Sequence, residues 1–172
     1  MLIRLLTKAD GSIYQKLRLE SLANDPAAFL TTLESEKKLH EDVFANHVDW
    51  SYHPPHFGYF GIFVGDDNAE LVGYLQLSQN FLEKQDHIAA VNNVYLSPRW
   101  RGRGLATQLF EYVFQLLEEG GHIERIYLSC TATNQHAQRL YHQLGFQRYA
   151  VKVKAVKWQG KYDDEVEFVK VL

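Results

Sequence analysis

The sequence is short of several things, and each shortage excludes something. It has a single cysteine, Cys130, so no internal disulfide can form, and such cysteine usage fits a reducing compartment. It has four prolines, two of them adjacent at Pro54-Pro55, and no low-complexity or repeated segment marks a linker or an array. No apolar run is long enough to cross a bilayer. The start, Met1-Leu2-Ile3-Arg4-Leu5-Leu6-Thr7-Lys8-Ala9-Asp10, becomes charged too soon for a signal peptide. The formal net charge is −3, so no broad basic field argues for nucleic acid. These absences predict a cytoplasmic protein with neither a membrane nor a nucleic-acid partner. The mild acidity suits a cationic or amine substrate.

What is present is the composition of a soluble globular domain, 46% hydrophobic and 23% charged, and 172 residues suffice for one domain, 1–172, with a real core. Hydrophobic periodicity predicts a strand over Leu2–Leu6 and a helix over Lys8–Asn24, capped by Asp10 or Ser12 with Ile13, Leu17 and Leu22 inward. A second helix is expected over Ser35–Val48, with Glu34 and Glu36 at its start, where the helix dipole favours them. Ser51–His56 reads as a loop. Strands over Phe57–Val64 and Ala69–Leu77 flank a hairpin signal at Gly65–Asn68. A strand over His87–Leu96 precedes the main helix, Arg103–Glu119, which Gly120-Gly121 ends. Leu105, Leu109, Tyr112, Val113, Leu116 and Leu117 recur along it at helical spacing. Ile123–Cys130 is the next strand and, following a helix, favours a parallel partner. A short helix over Asn134–Leu144 leads to a final hairpin, Phe146–Trp158 and Tyr162–Val171.

One stretch carries chemistry: Asn92-Asn93-Val94-Tyr95-Leu96-Ser97-Pro98-Arg99-Trp100-Arg101-Gly102-Arg103-Gly104-Leu105-Ala106-Thr107. It reads as a strand, a glycine-punctuated turn and a helix start. Amides at a helix start lack partners within the helix, and their dipoles favour an anion. Arg99, Arg101 and Arg103 add planar donor forks suited to phosphate. The physical reading is a diphosphate site; the plain alternative is a tight turn with solvated arginines.

Arg99-Trp100-Arg101-Gly102-Arg103-Gly104 matches the Q/R-x-x-G-x-G/A motif of the GNAT superfamily of N-acetyltransferases. The flanking strand and helix, Asn134, Tyr141 and the Leu144-Gly145-Phe146 ending also resemble that family, from about Leu71 onward. The resemblance implies an α/β (α+β) fold: a mostly antiparallel sheet of about seven strands, about four helices, and one parallel pair splayed to admit a cofactor. It implies acetyl-coenzyme A as cosubstrate, without a metal. Val94, Tyr95 and Leu96 would pair with the pantetheine arm as an added strand, and an N–H of Val94 or Tyr95 would polarise the thioester oxygen. Arg99, Arg101, Gly102, Arg103, Gly104, Leu105, Ala106 and Thr107 would hold the pyrophosphate. Asn134, with Ala137 beside it, would contact the pantetheine arm; Asn134 equally suits a helix N-cap. Tyr141 would donate a proton to the departing thiolate; its alternative is core packing beside Leu140 and Leu144.

The sequence departs from the family where many members carry a glutamate base. Ala89-Ala90-Val91-Asn92-Asn93 has no carboxylate, although an amide can hold a water that accepts the proton. Glu34 and Glu36 are alternative bases if the second helix borders the cleft; otherwise they are an ordinary helix start. The acceptor would be a primary amine: a polyamine, an amino acid or antibiotic amine, or a protein N-terminus or lysine. Its contacts are expected from the N-terminal helices, Tyr52–Phe57 and the last hairpin around Trp158–Tyr162. A rival reading is a non-catalytic acyl-coenzyme A sensor. An exposed final strand would offer an edge to a second copy, as in a homodimer. The histidines, including His53, His56, His136 and His142, show no catalytic zinc spacing, and Cys130 reads as a structural thiol.

Overall fold

The structure is a computed structural model, which describes residues 1–49, 58–79 and 82–172. The expected loop Ser51–His56 and the expected contact segment Tyr52–Phe57 lie outside the described residues. Seven strands form one sheet in the order β1-β2-β3-β4-β5-β7-β6. They are β1 (Leu2–Leu5), β2 (Gly58–Val64), β3 (Glu70–Gln79), β4 (Ile88–Leu96), β5 (Arg125–Thr131), β6 (Gln147–Trp158) and β7 (Lys161–Val171). The β4–β5 pair is parallel and the others are antiparallel.

Five α-helices accompany the sheet among the described residues: α1 (Gly11–Asn24), α2 (Leu33–Glu36), α3 (Glu41–Asp49), α4 (Leu105–Gly120) and α5 (Gln135–Gln143). Strand alternation feeds two cores. Phe60, Ile62 and Val64 of β2 pack in a cluster with Leu109, Phe110 and Leu117 of α4. Tyr59 and Phe63, on the opposite face, join Tyr14 and Leu17 of α1 and Phe44 of α3. All of β2 is therefore buried.

Several expectations need correction. The helix expected over Ser35–Val48 is two helices, α2 and α3. Thr32 caps α2, and Glu36 at its end is drawn inward by Arg18 of α1, which turns the chain before α3 begins. Asp10 stands at the N-cap of α1 as expected, but its side chain makes no capping bond there; its carboxylate takes both Arg4 Nη1 and Nη2 at 2.7 Å and the Thr7 amide at 2.8 Å. On α4, Tyr112 faces outward, while Phe110 and Phe114 fill the core. The final strand is not an edge: β7 lies between β5 and β6, so the edge strands are β6 at this end and β1 at the other.

Two irregularities shape the sheet's centre. β4 and β5 pair only over Ile88–Ala90 and Arg125–Tyr127, and beyond these residues they diverge. β4 also carries a bulge: Tyr74 faces Tyr95 and Gln76 faces Asn92, so Asn93 and Val94 together oppose Leu75. Asn93 takes the left-handed conformation, φ 48°, which asparagine tolerates better than most residues.

Candidate functional site

The divergence of β4 and β5 opens a cleft of about 680 Å³. At one end lies the start of α4. Gly102 (φ 73°) and Gly104 (φ 74°) adopt the left-handed conformation, where an L side chain would be strained. Among the described residues no side chain caps this helix. The first helical bond runs from Gln108 N to Gly104 O at 3.1 Å, leaving the amides of the first turn without a partner among the described residues. Gly102, Gly104, Leu105, Ala106 and Thr107 all line the cleft.

The three arginines of the turn go different ways. Arg101 lines the cleft, but its Nε donates to Leu96 O at 2.9 Å and its guanidinium pairs with Asp25. It braces the turn against the end of α1. Arg99 and Arg103 are not among the cleft-lining residues. Arg99 pairs with Glu70 at 2.7 Å on the surface, and Arg103 lies over the Trp100 ring at 4.7 Å.

Val94, Tyr95 and Leu96 line the middle of the cleft, on the stretch of β4 that has left β5. Across the gap stand Asn134, Ala137 and Tyr141. Asn134 is the N-cap of α5: its Oδ1 accepts from Ala137 N at 3.0 Å. The cap uses only the oxygen, so Nδ2 is left for another partner. Tyr141 is buried, its ring held by Phe110, Phe146 and Phe168 at centroid distances of 6.1, 6.1 and 5.6 Å. Its hydroxyl has no protein partner among the described residues. Burial, and then the neighbouring Cys130, hold the phenol above its ordinary pKa. It therefore stays protonated throughout the neutral range. Cys130 also lines the cleft; burial pushes its thiol up to about 11, with Glu165 and Asp163 adding to the rise, so it is a poor nucleophile at pH 7.

The other end of the cleft is built from side chains. Arg18 of α1 and Glu36 of α2 form a buried bidentate pair at 2.9 and 2.7 Å. Thr31 joins both members, and Arg18 Nη1 reaches the Tyr74 hydroxyl at 3.5 Å. Glu36 lines the cleft; Glu34 is exposed and does not. The Arg18 pairing, with the Thr31 bond, more than offsets desolvation and holds the Glu36 carboxyl below its usual range. Asn93 Nδ2 donates to Gln76 Oε1 at 2.7 Å and to the Tyr59 hydroxyl at 3.3 Å. Sequence reasoning did not single out Arg18, Phe29, Tyr59 or Gln76. Arg18 did leave a signal, a charge between Leu17 and Ser21 on the inward stripe of α1. Among the described residues, no three His, Cys, Asp or Glu side chains are placed to hold a metal ion.

Comparison with known proteins agrees with this geometry. The sequence model of the acetyltransferase (GNAT) family matches residues 19–146. The chain belongs to the GNAT family. A spermine/spermidine N(1)-acetyltransferase of Bacillus subtilis is 30% identical over 118 residues, 69% of this chain and 72% of that protein. An L-amino acid N-acetyltransferase of Escherichia coli is 23% identical over 104 residues, 60% of this chain and 64% of that one. A Salmonella typhimurium structure with acetyl-CoA as its cofactor superposes with a TM-score of 0.80 at 17% identity, covering 99% of this chain and 93% of that one. The seven-stranded sheet with one parallel pair is the GNAT fold, and the GNAT family makes this chain an acyltransferase. Among the described residues of this GNAT chain, no helix is long and apolar enough to cross a membrane.

Proposed function

We propose that this chain acts as one acetyltransferase unit, moving an acetyl group from acetyl-coenzyme A to a primary amine. The observation that carries the reading is the uncapped first turn of α4, opening into the same cleft as the unpartnered Tyr141 hydroxyl. When bound, acetyl-coenzyme A supplies an acyl thioester. The residues present fit it: glycine-freed amides from Gly104 to Thr107 suit paired phosphates, and the unpaired edge of β4 suits an extended amide-bearing arm. The relative named for an acetyl-CoA complex supports the same cofactor.

The residues then have separate tasks. The amides of the first turn bind the diphosphate, with Arg101 bracing them. The N–H of Val94, beside the bulge at Asn93, orients the carbonyl oxygen, since Tyr95 pairs with Tyr74 of β3 and Ser97 N bonds Val72 O on the same side. Asn134 offers Nδ2 to the arm. Tyr141 offers its phenolic proton where the sulfur departs, and burial keeps that proton in place until it is needed.

No carboxylate serves as base on β4. For an amine like that of lysine, deprotonation at pH 7 costs about 4 to 5 kcal/mol. Alignment of two reactants contributes about 7 to 11 kcal/mol. Positioning therefore outweighs the missing base. The test is coenzyme A binding by calorimetry, followed by thiol release from acetyl-coenzyme A with a panel of amines. Micromolar binding and amine-dependent release are expected. No binding by the folded protein overturns the reading; binding without release for any amine favours an acyl-coenzyme A sensor.

A further inference from the structure

The acceptor end of the cleft is balanced in charge, and that balance points to a class of amine. Building on the acetyltransferase reading above, we propose that the acceptor is an α-amino group on an uncharged, apolar body, as at a peptide N-terminus or on an amino-acid amide. Polyamines, lysine side chains and free amino acids are the classes it disfavours.

The first argument is the pairing of every carboxylate in the described cleft wall. These are Asp25, Glu36 and Glu165. Arg18 holds Glu36 in a bidentate pair, Arg101 holds Asp25, and Glu165 takes Ser129 Oγ at 2.7 Å and shares Lys152, at 3.2 Å, with Glu167. A second ammonium on the acceptor would leave water without gaining an unpaired anion. The same pairs occupy both guanidinium groups of the wall. Arg18 spends Nε and Nη2 on Glu36 and Thr31, and Arg101 spends Nε on Leu96 O. Among the described wall residues no further Arg or Lys side chain is left for an acceptor carboxylate. Ring surfaces of Tyr14, Phe29 and Tyr59 complete the wall and suit an apolar body.

The second argument is the proton. The phenols facing this end, Tyr14, Tyr59 and Tyr95, are held protonated by burial. Glu36 is held ionised by Arg18, which makes it a weak base. His47 of α3 and His136 of α5 also line the cleft, and Asn93 stands at the bulge without proton-accepting power. An acceptor that enters as its own free base needs its proton taken by none of them. An α-amine with a pKa near 7.7 to 8.0 has a few hundred times more free base at pH 7 than an ε-amine near 10.4.

The test uses the intact 172-residue chain with saturating acetyl-coenzyme A. The acceptors are phenylalanine amide, an Ala-Phe dipeptide amide, free phenylalanine, Nα-acetyl-lysine amide and spermidine. The expected result is a kcat/KM for the two α-amine amides at least tenfold above the other three. The inflection of kcat/KM with pH should follow the pKa of each acceptor amine. The ratio between the two amides tells a small acceptor from a peptide. Preference for spermidine, the ε-amine or the free amino acid overturns the inference and leaves acetyl transfer intact. An inflection fixed near 6.5 for every acceptor also overturns it, because a histidine base is then at work. No release with any amine refutes the broader reading instead.

Discussion

The two ends of the cleft are built from different material. The α4 end is backbone: amides exposed by Gly102 and Gly104, with only Arg101 as a tether. The opposite end is side chain: the Arg18–Glu36 pair, the tyrosines around it, and the Asn93–Gln76–Tyr59 cluster. A backbone site recognises a fixed group such as a diphosphate and needs few particular side chains. A side-chain site can change its preference one residue at a time.

The contrast is broken most severely at the buried pair. Arg18→Ala leaves Glu36 buried without a cation, at a cost of about 3 to 5 kcal/mol. For a chain of this size that lowers the melting temperature by about 6 to 20 °C, read by calorimetry. Arg18→Met combined with Glu36→Leu should recover most of the loss, because the desolvated charges go together.

Tyr141→Phe comes next. Turnover should fall at least about tenfold with little change in acetyl-coenzyme A affinity, because the ring still packs and only the donor is lost. Unchanged turnover would remove Tyr141 from the mechanism. Gly104→Val then probes the backbone end. A β-branched residue in the left-handed conformation costs about 1 to 2 kcal/mol, so coenzyme A affinity should drop by about tenfold in calorimetry. A normal affinity would mean that the glycine-freed turn is not the phosphate site. Arg99→Ala should have the smallest effect, since its exposed pair with Glu70 lies away from the cleft wall: coenzyme A affinity changes less than about twofold.

Acid sharpens the same comparison. Glu36 and Asp10 both titrate below their ordinary values in the folded protein. Their stabilising contribution is present above the unfolded carboxylate values, about 3.9 to 4.3, and is lost as pH falls through the lower folded values. A melting series from pH 6 to pH 2 should fall across that window, and Glu36→Gln should flatten part of the fall.

Much of the fold was legible because its signals are local. Strand alternation in β2, helical spacing in α4 and the turn at Gly102–Gly104 each show within a few residues. The α4 end of the cleft was legible for the same reason, since a helix start is defined by its own sequence. The break between α2 and α3 was not, because it answers to Arg18 a helix away. Nor was the place of β7 inside the sheet: a hairpin can add to a neighbour by either strand, and β5 pairs with the second. The arginines of the turn look alike in the sequence, yet Leu96 O and Asp25 draw in one while Glu70 holds another at the surface.

The sequence by itself determined the strand–turn–helix at the α4 end of the cleft, because left-handed glycines and uncapped amides are properties of consecutive residues. Only the tertiary structure decided which charges cancel along the cleft. Arg18 meets Glu36, and Arg101 meets Asp25, across distances that no local pattern encodes. Those meetings matter for any ligand, because a charge already paired within the protein gains less from a ligand's charge than an unpaired one does.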